Sequence, residues 1–233
     1  MGTSSDYVAP SGGGWPAAKR QATTFARQGG SQGTQTTAAA VGGAYVAAHG
    51  GSRAAASSYP AAQRVAQALG GFLAGVARQG LDATLVERGL GYLVGQSPGI
   101  VLAGIIDALA GPNRTLDEAD ARAALVVVLA QELPDPGTPL DAAAIADLIE
   151  ALLVECVFQR MLQELGVQIA NGALTATEAV RVERDLHAYV IAQARLDMGG
   201  VDALDVDWEG AEGRDLVGHL LTSAYAQLEA EVA

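Results

Sequence analysis

Apolar residues recur at three- and four-residue intervals along most of the chain, the spacing of a helix face rather than the strict alternation of a half-buried strand. Between Tyr59 and Arg78, the positions Val65, Leu69, Phe72, Leu73 and Val76 fall on one side and predict an amphipathic helix. Leu81 to Val94 predicts a shorter one with Leu85, Leu90 and Leu93 facing the core. Ser97 and Pro98 open a buried helix through Leu109, since proline suits a first helical turn. The longest pattern runs from Leu140 to Ile169, with Ile145, Leu148, Leu152, Val157, Leu162 and Leu165 broadly on one face.

Capping chemistry sharpens the boundaries. Thr115 with Glu118, and Thr175 with Glu178, have the spacing at which a hydroxyl and a carboxylate satisfy each other's backbone N–H groups. They predict helices from there to about Leu133 and Met198, and a last helix spans about Glu212 to Glu229. Val126-Val127-Val128 could suit a strand, but its helical flanks and lack of alternation favour helix. Nearer the start, helices are expected from Pro16 to Gln28 and from Thr36 to His49, stopped by Gly29-Gly30 and Gly50-Gly51. The fold class is therefore all-α: a multi-helix domain, either undivided or made of two packed helical subdomains, 15–133 and 139–233. Pro134, Pro136, Gly137 and Pro139 mark the linker between them, and residues 1–14 read as a flexible glycine-rich tail.

Composition agrees with helix: half of the 233 residues are hydrophobic, many of them alanine, while aromatics are only 5%. The net charge of −12 is unevenly distributed. Residues 1–80 carry six basic side chains against Asp6 alone, and the remainder carries 8 basic against 25 acidic. Six dispersed cations do not make the clustered basic surface that phosphate recognition needs, so direct nucleic-acid binding is not expected. No segment has the length and apolarity of a membrane span: Ile100 to Ala110 falls short of about 20 residues and is interrupted by Asp107. Without a secretory pattern at the start, the expected location is cytoplasmic.

Candidate chemistry is sparse. His49, His187 and His219 lack metal-site spacing, and the lone Cys156, in an apolar helical run, reads as a buried thiol. No phosphate-binding glycine motif occurs. No catalytic, metal or cofactor site is expected. Two features stand out. Asp207-Trp208-Glu209, followed by Arg214, places carboxylates around one of two tryptophans, in either a packed acidic loop or a partner-docking loop with an aromatic anchor. The other is the start, Met1-Gly2-Thr3-Ser4. Removing Met1 leaves a glycine α-amine whose reference pKa near 8 gives it a neutral, reactive fraction.

The chain also resembles the QatB family of the four-component Qat anti-phage defence system. The resemblance rests on Met1-Gly2-Thr3-Ser4, Gly70-Gly71-Phe72-Leu73, the run Gly89-Leu90-Gly91-Tyr92-Leu93-Val94-Gly95, Leu162 through Gly166, and Asp207 through Gly213. It implies a non-catalytic component, encoded with an ATPase, a TatD-like nuclease and a QueC-like enzyme of deazapurine chemistry. It further implies that the QueC-like enzyme is a partner, with Gly2 as acceptor of a deazaguanine group and Thr3 and Ser4 read by the enzyme's cleft. The tether between the opening motif and Trp15 is short for the family. The competing class is an enzyme or direct nucleic-acid sensor with a site built from dispersed residues.

Overall fold

The computed structural model describes residues 13–32, 37–112, 114–131, 140–173, 175–194, 196, 198 and 200–230. Within these residues the chain forms ten α-helices and no strand: α1 (Trp15–Arg27), α2 (Ala38–Ala48), α3 (Ser52–Ser57), α4 (Pro60–Gln79), α5 (Leu81–Glu87), α6 (Pro98–Ala110), α7 (Leu116–Gln131), α8 (Ala142–Gly172), α9 (Ala176–Gln193) and α10 (Ala211–Ala230). The all-α expectation holds. The expected tail up to residue 12 and the proline-rich linker at 134–139 lie outside the described residues.

Local chemistry accounts for the helix starts. Prolines occupy the opening turns of α1, α4 and α6. Thr37, Asp141 and Thr175 cap α2, α8 and α9 by accepting from the N–H of Ala40, Ala144 and Glu178. At α7 the capping box forms as expected, with Glu118 N–H donating to Thr115 Oγ1 at 3.2 Å and Thr115 N–H to Glu118 Oε2 at 3.1 Å.

The organising element is α8, 31 residues and about 47 Å long at 1.5 Å per residue. It lies against α1, α4, α7, α9 and α10, while α10 also covers α2, α3 and α4. Ile145, Leu148, Leu152, Val157 and Leu165 of α8 are buried as their spacing predicts, and Leu162 is half-buried. Alanines 18, 22, 55, 62 and 66 are among the fully buried side chains, so thin helices approach closely and few aromatics are needed to fill the core.

Three boundaries differ from the sequence pattern. The helix expected over Leu81–Val94 ends at Glu87, because Gly89 takes φ +74°, and the chain resumes as a 3₁₀ turn, Gly91–Leu93. The helix expected through Met198 ends at Gln193, while α8, expected to end at Ile169, runs on to Gly172. The six-residue α3 went unseen, since its Ser-Arg-Ala-Ala-Ala-Ser sequence has no apolar period. Nor is α6 uniformly buried: Ile105, Ile106 and Ala110 face inward, but Ile100 is 52% exposed. Among the described residues, no helix is long and apolar enough to cross a membrane.

Candidate functional site

Asp207, Trp208 and Glu209 come together in the loop that enters α10, beside the C-terminal half of α4 and the end of α5. Trp208 is only 2% exposed, and its indole N–H donates to the Ala203 carbonyl at 2.9 Å. The ring packs against α4 at Gly70, where any Cβ would overlap the indole. Trp208 thus fastens the loop from within and offers little of itself to a partner.

Polar atoms of the loop are largely committed to its own backbone. Asp207 Oδ1 accepts from Gly210 N–H at 3.1 Å, and Glu212 Oε2 accepts from Asp207 N–H at 3.0 Å, an arrangement that satisfies donors near the start of α10. Glu209 pairs with Arg88 at 2.7 Å, and Arg78 donates to the Leu204 carbonyl. Between these groups lies an open polar cleft of about 550 Å³, lined by Arg78, Glu87, Arg88, Asp205, Asp207 and Glu209 over Trp208, Gly71 and Ala74. Arg214 is exposed in the first turn of α10 and does not line it. Gly2, Thr3 and Ser4 lie outside the described residues. The nearest described anchor is Trp15, packed edge-on against Tyr45 and His49.

A second constellation was not foreseen from the sequence. Arg160 on α8, with its side chain 7% exposed, donates to the Ala55 carbonyl and Ser58 Oγ at 3.2 Å each. Its Nε lies 3.7 Å from both Asp117 and Glu164, and the guanidinium stacks 4.8 Å from the centre of the Tyr59 ring. Glu164 in turn accepts from the Tyr45 hydroxyl at 2.6 Å and meets His49 Nε2 at 3.0 Å. Burial first, and the charges of Asp117 and Glu164 next, push the nearby Asp120 carboxyl up to about 7 against the pull of Arg160. Its Oδ2 is buried without a partner. The network ties α2, α3, α7 and α8 together. Its signal was present in the sequence: Arg160 and Glu164 stand four apart on the same α8 stripe as Val157 and Leu165.

His187 on α9 pairs with the buried Glu155 at 2.7 Å beside Phe158, so it is a partly packed histidine, whereas His219 is exposed. Cys156 is fully buried, and burial raises its thiol pKa well above the ordinary range. Among the described residues, no group of three or more His, Cys, Asp or Glu side chains is placed to hold a metal ion.

A family model described as "Qat anti-phage system associated protein QatB" matches residues 50–228, from just before α3 through most of α10. No curated protein and no solved structure matches the chain.

Proposed function

The chain belongs to the QatB family and is a component of an anti-phage defence system; from that premise we infer that it works there as a non-catalytic helical body that docks partner proteins and presents Gly2 for modification. Family membership over most of the chain is the observation that carries this reading. The docking surface includes the loop before α10. There the buried Trp208 sets the frame, and the exposed Asp207, Glu209 and Arg214 are what a partner meets.

The modification half rests on the opening sequence Met1-Gly2-Thr3-Ser4, which lies outside the matched segment. Once Met1 is removed, the Gly2 nitrogen attacks the carboxyl carbon of a deazaguanine acid that a QueC-like partner has activated with ATP. An amide bond forms, the activating group leaves with the carboxyl oxygen, and the amine loses a proton. A terminal amine with a pKa near 8 reacts more readily near neutral pH than a lysine near 10.4. Glycine adds no Cβ, so a narrow cleft can close around it, with Thr3 and Ser4 offering slim hydrogen-bonding side chains.

The test is Gly2→Leu in cells carrying the whole system. A bulky second residue keeps Met1 in place, so the variant should fold with an unchanged circular dichroism spectrum and yet lose phage protection. Full protection by Gly2→Leu rules out the terminal glycine as the acceptor.

A further inference from the structure

Among the described residues, five of the eleven exposed large hydrophobic side chains fall within residues 81–100: Leu81 at 39%, Val86 at 63%, Tyr92 at 69%, Val94 at 38% and Ile100 at 52%. They lie on one corner of the fold, where α5, the Gly91–Leu93 turn and α6 meet in sequence and the turn contacts both helices. Side chains beneath hold the corner firmly. Leu85 and Leu93 are 1% and 2% exposed, and Leu93 fills the space over Gly104 on α6. The corner packs on α4, and through α6 on α7. Single exposed leucines are ordinary, but several exposed aliphatic and aromatic groups over a turn anchored by buried leucines are a feature of interaction surfaces.

The charge beside this corner is also specific. Val86 leans toward the turn, so that a Cβ at Gly91 would stand 3.5 Å from Val86 Cγ2, whereas the next residue, Glu87, lines the polar cleft over Trp208. Four carboxylates, of Glu87, Asp205, Asp207 and Glu209, line that cleft against two guanidiniums, those of Arg78 and Arg88. Arg88 is tied to Glu209, and Arg78 to the Leu204 carbonyl. The end of α5 thus lies between the exposed apolar residues and an acidic hollow.

We propose that the α5–α6 corner and the adjoining cleft form one docking surface for a partner-protein segment with an aliphatic stripe and Lys or Arg at one end. The stripe covers Val86, Tyr92 and Ile100, and the basic end enters the hollow beside Glu87 and Asp205. Charge complementarity selects this occupant: the same acidic hollow would repel an anionic lipid surface or a nucleic-acid backbone. The assignment rests on the partner-docking reading above and extends it from the Trp208 loop to a surface with a stated chemistry.

The experiment co-expresses the full chain with the other proteins of its defence system and measures the complex by quantitative co-purification at low and high salt. Val86→Asp with Tyr92→Ser removes apolar surface at two exposed positions, so thermal melting should stay unchanged while recovery of the complex falls at least about tenfold. Glu87→Gln with Asp205→Asn should weaken the complex at low salt and flatten its salt dependence. A complex retained in full by the Val86/Tyr92 variant overturns the surface and leaves the docking reading standing. No complex with the unmutated chain overturns both. A salt dependence unaltered by the Glu87/Asp205 variant overturns the basic partner chemistry. Sedimentation of the unmutated chain with phosphatidylglycerol-rich vesicles, lost in the Val86/Tyr92 variant, overturns the protein occupant in favour of a membrane.

Discussion

Replacing Gly70 with alanine should destabilise the native chain and stabilise the Trp208→Ala variant, a reversal of sign that follows from one contact. Gly70 lies inside α4, where alanine is favoured over glycine by about 1 kcal/mol. In the native chain the new methyl would overlap the indole of Trp208, and such overpacking costs about 1–3 kcal/mol. The net expectation is a loss of about 1 kcal/mol. Trp208→Ala alone removes a 2%-exposed ring and its bond to the Ala203 carbonyl, a loss of about 3–5 kcal/mol. With the indole gone, the methyl at residue 70 occupies vacated space and the helix preference is all that remains. The coupling in the double-mutant cycle is then about 2 kcal/mol. Urea unfolding of the four proteins, followed by far-ultraviolet circular dichroism, measures each term. Equal destabilisation by Gly70→Ala in both backgrounds, or a cost below about 1 kcal/mol for Trp208→Ala, would refute the packing described for this loop.

Two further outcomes concern the helical core. Asp120 is protonated in the fold up to a pKa of about 7, whereas an ordinary aspartate ionises near 3.9. Its contribution is fully present below about pH 4 and is lost as pH rises toward 7, because only the native state still holds the proton in that window. Asp120→Asn should therefore flatten the fall in stability over that range and raise stability at pH 8 by about 1–2 kcal/mol, a value reduced for the water that reaches this partly exposed side chain. Urea titrations at several pH values check it, and an unchanged slope counts against the buried-carboxylate argument. Cys156 should label with N-ethylmaleimide at least about a hundredfold more slowly in the native chain than in urea, because the thiol is inaccessible and resists ionisation. Equal rates by mass spectrometry would place it at the surface.

Much of the fold was legible because helix signals are local. Thr115 with Glu118, and Thr175 with Glu178, announce starts that the backbone uses, and the aliphatic stripe of α8 points to the core it fills. Ends were harder to place. The Leu81–Val94 pattern stayed apolar past the point where Gly89 turns the chain, so the helix end was misplaced although Leu85 and Leu93 do reach the core. The candidate sites were legible only as composition. Asp207 and Glu209 do flank Trp208, but burial of the indole against Gly70 depends on a helix some 140 residues earlier in the chain. The Arg160 network was missed for a related reason: Arg160 and Glu164 do share the apolar stripe of α8, but the groups that enclose them come from α2, α3 and α7.

The central claim, that this defence component is a presenting body modified at its own terminus, is tested most directly by intact-protein mass. The chain should be isolated from phage-protected cells expressing the complete system, and from matched cells lacking the QueC-like enzyme. The expected result is loss of Met1 in both, with an added mass equal to a deazaguanine acyl group only when the enzyme is present, located to Gly2 by fragmenting the N-terminal peptide. Identical, unmodified termini in the two preparations, with protection intact, would contradict the account.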